Sequence, residues 1–353
     1  MSSSPPNSHR EPENRPAPLE ALLEAETPTA LHYRRSHYPY PELDPSTWRL
    51  AVDGAVERPL ELSLADLREL PSRELTVLLE CAGHRRTEYH PPISGVQWEL
   101  GALGQARWRG VSLAAVLDRA GLRDGAVEVV LHGADSGAFK GVPGEHTFSR
   151  SLPLGKALHP DTLLAWEMNG EPLPLPHGAP LRSVVPGWYA MDSVKWLTRA
   201  EVVTQPFRGP YQEQDYRFQP AGSDDIGERL AEQPIHSLFV TLRDGDSIPQ
   251  REITRGVTVR GIAWGGSGGP ARVEVRAGEG PWTPAEVTPP PGPYQRALWS
   301  AHLALPAAAA GQTVELAVRA WDHAGETQPE QPIWNQRGYR NNSIHRIRVR
   351  PGA

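Results

Sequence analysis

The segment Leu78–Tyr89, LLECAGHRRTEY, carries the one cysteine of the chain, Cys81. An apolar run, ELTVLLE (74–80), stops there at a Cys-Ala-Gly loop, and His84, Arg85 and Arg86 follow. The run reads as a strand, because it is short, apolar, and bounded by glycine. A single cysteine excludes an internal disulfide and every cysteine-rich zinc or iron–sulfur arrangement. On residue chemistry alone three readings of the thiol stay open. It is an inert core residue, a catalytic nucleophile, or a single thiolate on a cofactor metal. The neighbouring guanidiniums favour the thiolate, the form that ligates a soft or high-valent metal. They are also costly to bury beside an inert side chain.

Outward from this segment, two textures meet. Before it, Ser63 caps a short helix, LADLREL, and after it VSLAAVLDRAG (111–121) reads as a second helix. There Ser112 is the N-cap, Leu113, Val116, Leu117 and Ala120 form the apolar stripe, and Gly121 supplies the stop. AVEVVLHG (126–133) and LLAWEM (163–168) read as strands, and Asn169-Gly170 as a hairpin turn. Residues 205–235 are polar and read as an inter-domain stretch. Beyond residue 236 come short alternating segments, VTVRGIAW, ARVEVRAG, TVELAVRAW and SIHRIRVR, divided by Gly/Pro clusters. Regular short strands with strong turns point to a β-sandwich.

With 353 residues, there is room for two domains that each bury a core. A net charge of −6 provides no basic field for nucleic acid or an anionic membrane. No apolar run approaches the roughly 20 residues of a membrane span. Residues 1–25 begin polar and proline-rich and lack the apolar core of a secretory signal, so a disordered arm and a cytoplasmic location are expected.

The order of the motifs narrows the cysteine's role. CAGHRR (81–86) resembles the CAGNRR segment of the sulfite oxidase family, whose cysteine coordinates molybdenum. Four other segments agree in the family's order: HYRRSHYPYP (32–41), PHGAPLRSVVPG (176–187), SVKWL (193–197) and PIWNQRGYRNNSIHR (332–346). The resemblance covers roughly residues 30–350. It implies an α+β protein: a mixed α/β molybdopterin-binding domain, 26–225, then an all-β immunoglobulin-like sandwich, 236–353, through which the chain forms a homodimer.

The same resemblance implies the chemistry. Molybdenum is held by the dithiolene of a pterin and by Cys81. The protein binds and orients this cofactor, which carries the difficult step; no haem is expected. Tyr33, Arg34, Arg35, Ser36, His37, Asp135, His177, Arg182, Ser193, Val194 and Lys195 are assigned to the pterin. Arg35, Arg86 and Arg337 match the family's oxyanion pocket, which planar guanidiniums suit. Tyr216 matches its active-site tyrosine, a phenol able to manage protons. The implied reaction is oxidation of sulfite to sulfate by oxygen-atom transfer, with electrons leaving to oxygen or a separate carrier. The alternative is reduction of nitrate or an S- or N-oxide on the same scaffold. Arg337 speaks against it, since the related nitrate reductases lack arginine there. Two departures stand out. His84 replaces the family's usual asparagine, and Ser94 stands before Gly95 where a lysine is usual.

Overall fold

The computed structural model describes residues 11–223, 225–249, 255–266, 268–305 and 312–351. The first half is built from two five-stranded sheets. One runs Glu171–Pro172, Leu163–Met168, Leu103–Ser112, Ser72–Glu80, with Arg182–Val184 also pairing on Leu163–Met168. The other runs Leu60–Leu62, Leu50–Gly54, Leu197–Val203, Glu128–Phe139, Val142–Pro153, and its pairing of Leu50–Gly54 with Leu197–Val203 is parallel. The apolar runs of the sequence become these strands, and LLAWEM matches its strand end to end. Asn169 (φ 54°) and Gly170 (φ 82°) make the turn after it, the double positive φ of a type I′ hairpin.

Helices are few and short. Ser63 and Asp66 form a capping box on Leu64–Arg68, satisfying two end donors at once. Leu113–Ala120 starts on the Ser112 side chain and ends at Gly121, and it buries the stripe Leu113, Val116, Leu117 and Ala120. No described helix is long and apolar enough to cross a membrane.

The second half is the expected sandwich. One sheet runs His236–Phe239, Val257–Trp264, Ala297–Leu303, Glu286–Thr288. The other runs Ser247–Ile248, His345–Pro351, Val314–Trp321, Arg272–Ala277, Thr283–Pro284. Alternation explains its core: Val257, Val259, Val273, Val275, Leu316 and Val318 point inward from both sheets. The halves also share a core. Leu238, Ile262 and Trp264 pack in one apolar cluster with Val77, Leu79 and Trp108.

Residues 1–10 lie outside the described structure, but residues 11–25 correct the expectation of a disordered arm. Ala17, Leu19, Ala21 and Leu22 are buried, and Asn14–Arg15 pairs with Arg34–Arg35 as a two-residue antiparallel ladder. Four apolar side chains in a short polar segment suffice to dock it, roughly 1.5–3 kcal/mol for each large one fully buried. Among the described residues of the stretch 205–235, the regular elements are short pieces, Pro210–Glu213, Arg217–Phe218 and Glu228–Arg229. It nonetheless contributes Tyr216 to the site.

Candidate active site

Cys81 lies one residue past the strand Ser72–Glu80 and is buried. Its N–H donates to the Ala102 carbonyl at 2.9 Å, and the His84 N–H donates back to the Cys81 carbonyl at 2.9 Å. Arg85 then turns left-handed, with φ 60°, a conformation that costs a non-glycine residue about 1–2 kcal/mol. Neighbours hold it there. Asn341 Nδ2 donates to the Arg85 carbonyl at 3.0 Å, Arg85 Nη1 donates to the Ser343 carbonyl at 2.7 Å, and two 2.7 Å bonds tie its guanidinium to Glu88. Arg85 therefore has a structural post, and Arg86 alone of the pair turns toward the cysteine's cavity.

His84 also faces away from the cavities. Its Nδ1 lies 2.9 Å from Glu80 Oε1, Trp264 Nε1 donates to Glu80 Oε2 at 3.0 Å, and the His236 ring stacks on Trp264 at 4.7 Å. The residue that departs from the family pattern thus ties the cysteine loop to the sandwich.

Two cavities have Cys81, Arg35 and Tyr216 in common. Tyr33, Arg34, Ser36, His37, Asp135, His177, Arg182, Ser193 and Lys195 also line the first, together with His32, which the sequence reading did not assign. Of the residues assigned to a pterin, Val194 alone is absent from that lining. It is fully buried in the core, and its N–H receives no ligand because the Ser183 hydroxyl accepts it at 2.7 Å. That position is corrected to a structural one. The second cavity brings together Arg35, Arg86, Arg337 and Tyr216 with Ser94, Gly95, Trp98, Asp215, Gln336 and Tyr339. Trp98, Asp215 and Tyr339 were missed in the sequence. Asp215 and Tyr339 lie within two residues of positions that were identified, and proximity to a motif was the one available signal.

Second contacts fix these side chains. Arg182 donates to the carbonyls of His177 (3.0 Å), Ser193 (3.0 Å) and Ser183 (3.2 Å), and so clamps two loops. Lys195 Nζ donates to Ser36 Oγ at 2.8 Å and lies 4.0 Å from the Trp196 ring centroid. Arg34 pairs with Glu13 at 3.0 Å, so the docked N-terminal segment buttresses the wall. Tyr216 Oη and His37 Nε2 are 2.8 Å apart. Arg86 Nη1 donates to the Val96 carbonyl at 2.8 Å, and its guanidinium lies 5.0 Å from the Tyr339 ring centroid.

Burial dominates the electrostatics. It pushes the Cys81 thiol up, and Arg35, the Gly83 backbone and Arg86 oppose this without reversing it. The arginines alone do not secure a thiolate, contrary to the expectation from their spacing. Burial raises Tyr216 too, against Arg35, so the phenol keeps its proton. It depresses His37 well below the ordinary range, aided by Arg35, Lys195 and Arg150, so the imidazole is neutral at pH 7. Tyr216 and His37 are thus two uncharged groups sharing one hydrogen bond. Burial likewise brings Lys195 down to about 7 against the pull of Asp135, and raises Asp135 to about 6 against Lys195.

The cavities bear the mark of polar ligands. Asp135 Oδ1 in the first and Trp98 Nε1 in the second are buried polar atoms without a hydrogen-bond partner among the described residues. Each such orphan costs about 1–3 kcal/mol. A ligand rich in donors and acceptors relieves the first, and an oxyanion acceptor relieves the second. Cations at separated points and a soft sulfur donor at the shared wall, which a bound metal would hold as the thiolate, suit a phosphate-bearing pterin and its metal.

Comparison with known proteins agrees with this reading. Residues 37–211 match the oxidoreductase molybdopterin binding domain, and residues 228–352 match the Mo-co oxidoreductase dimerisation domain. The chain is 39% identical to a sulfite oxidase of Gallus gallus over 96% of its own length and 76% of that protein's. It is 37% identical to the mitochondrial sulfite oxidase of Rattus norvegicus, spanning 97% of itself and 65% of the rat protein. A nitrate reductase [NADH] of Petunia hybrida is 34% identical over 96% of the chain and 40% of that protein. Among solved structures, the sulfane dehydrogenase SoxCD of Paracoccus pantotrophus superposes with a TM-score of 0.79 at 26% identity, over 99% of this chain and 86% of the other.

Proposed function

Because the chain belongs to the sulfite oxidase family of molybdenum-cofactor oxidoreductases, we propose that it oxidises sulfite to sulfate and passes two electrons to an external acceptor. The observation that carries this reading is the shared wall at Cys81. It is common to a polar cavity that suits a pterin and to a second cavity lined by Arg35, Arg86 and Arg337. Bound there, molybdenum with its pterin dithiolene supplies the two-electron redox chemistry. Cys81 would be its protein ligand. Tyr33, Arg34, Arg35, Ser36, His37, Asp135, His177, Arg182, Ser193 and Lys195, which line the first cavity, would hold the pterin.

The chain's own residues do the rest. Arg35, Arg86 and Arg337 draw in a small oxyanion and orient it toward Cys81. Tyr216, protonated and fixed by neutral His37, donates a hydrogen bond to an oxygen of the reacting anion. Water supplies the fourth oxygen of sulfate, and two protons leave with the two electrons. A homodimer formed through the sandwich, a cytoplasmic location, and domain limits of 26–225 and 236–353 belong to the same proposal.

The test is a steady-state assay of molybdenum-loaded protein with sulfite, nitrate and a sulfoxide, using an artificial electron acceptor or donor. Sulfite turnover and one molybdenum per chain are expected, and Cys81→Ser abolishes turnover. Active protein without molybdenum, or turnover of nitrate alone, overturns the reading.

A further inference from the structure

We propose that the Tyr339 hydroxyl is an electrostatic mask in the second cavity. It engages the Asp215 carboxylate, so that an incoming oxyanion meets three guanidiniums rather than a bare negative charge among them. This inference rests on the oxyanion-pocket reading above.

Among the described residues, Asp215 is the one carboxylate lining the cavity that also holds Arg35, Arg86 and Arg337. Left unengaged, it repels any anion there, and the low dielectric of a partly enclosed site strengthens the repulsion. Tyr339 Oη donates to Asp215 Oδ1 at 2.6 Å, the length of a charge-assisted O–H···O⁻ bond. Such a donor takes up part of the carboxylate's charge and fixes where it points.

Tyr339 is built to stay in place. Its ring stacks on Tyr216, with centroids 5.2 Å apart and planes 19° apart, and Arg86 lies over it at 5.0 Å. Its N–H donates to Asn335 Oδ1 at 3.1 Å, and its carbonyl accepts from Tyr89 Oη at 2.6 Å and Asn335 Nδ2 at 2.9 Å. One buried side chain thus touches the tyrosine, an arginine and the acid of the same pocket. Tyr339 is a positioning residue on this account: it acts through Asp215, and it reaches the anion only indirectly.

The experiment measures sulfate binding to the holoenzyme by titration calorimetry at low salt, which needs no turnover. Tyr339→Phe keeps the ring, its stack and its arginine but removes the hydroxyl. Its sulfate Kd is expected to rise about tenfold, equivalent to about 1.4 kcal/mol. Adding Asp215→Asn to that variant should return the Kd to within about threefold of the parent, a rescue that a merely structural role does not produce. Asp215→Asn alone should bind sulfate at least as tightly as the parent, which keeps the idea testable if Tyr339→Phe fails to fold. An unchanged Kd in Tyr339→Phe, no rescue in the double variant, or weaker binding in Asp215→Asn overturns the mask. A parent holoenzyme that binds no sulfate overturns the oxyanion pocket itself, and the mask with it.

Discussion

Arg150 Nε and Asp192 Oδ1 lie 2.8 Å apart, and neither side chain has any exposure to solvent. The pair stands directly behind the site. The Arg150 guanidinium lies 5.5 Å from the Tyr216 ring centroid and donates to the Tyr211 carbonyl, while Arg229 approaches the same Asp192 oxygen at 3.4 Å. Removing one partner of a buried pair leaves an uncompensated charge and costs about 3–5 kcal/mol. Asp192→Ala should therefore lower the thermal unfolding midpoint by several degrees, whereas an exposed control such as Glu286→Ala should barely move it. An unchanged midpoint for Asp192→Ala would show that the pair carries no net stability.

Arg337 is exposed, and its hydrogen bond goes to the Gln214 carbonyl at the mouth of the second cavity. Little of the fold depends on it, but an oxyanion loses a guanidinium without it. Arg337→Met should raise the sulfite KM about ten- to a hundredfold, the worth of one charge-assisted hydrogen bond, while the unfolding midpoint shifts by a degree or two at most. Steady-state kinetics and calorimetry on the same preparation decide it. An unchanged KM removes Arg337 from the pocket.

Much of this architecture was legible in the chain because local patterns and tertiary demands agree. The sandwich strands could be placed since Val257 and Val259 alternate with Thr258 and Arg260 and the core takes one set. The helix at Leu113 could be placed since cap, stripe and stop coincide. Most pocket residues could be found because they lie within the five segments that resemble the family's motifs, with Asp135 and Tyr216 outside them. What escaped depends on long-range closure. No local pattern says that Leu19 and Leu22 dock on a distant sheet, or that Tyr339 reaches Asp215 across more than a hundred residues. Val194 was misassigned because it sits between two cavity residues in a motif, and its own side chain points into the core. The effect of Arg85 and Arg86 on the thiol was misjudged because spacing reveals neither the depth of burial nor that Arg85 pairs with Glu88.

Lys195 should trade stability for cofactor binding. Burial depresses its pKa from 10.5 to about 7, so the charged form is disfavoured in the folded apoprotein. The sign follows from proton counts. Between about pH 7 and 10.5 the unfolded chain binds more protons at this residue, so its contribution to stability rises with pH across that window. The cost is fully present below pH 7 and absent above about pH 10.5. Lys195→Met apoprotein should thus unfold at a higher temperature than the parent at pH 6, and the gap should close by pH 10.5. Molybdenum content after expression should fall in the same variant. A gap that stays constant with pH would place the effect in packing and not in charge.

Gly83 offers a way to move Arg86 without touching it. A Cβ at Gly83 would stand 2.7 Å from Arg86 Nη2 and 2.9 Å from Cζ, closer than side-chain contacts allow. Gly83 has no positive φ, so alanine brings no backbone strain there. The clashing atoms are the tip of a flexible side chain, so the guanidinium gives way and the backbone holds. Glycines also crowd Arg86 at positions 95 and 338, which leaves it little room to resettle in the same place. Misplacing a substrate-binding group by about 1 Å costs on the order of a hundredfold. Gly83→Ala should therefore lower kcat/KM for sulfite by about ten- to a hundredfold while molybdenum content and the unfolding midpoint stay near the parent values. If kcat/KM holds, the position of Arg86 does not govern the reaction. If molybdenum is lost instead, Gly83 serves the Cys81 loop and not the oxyanion.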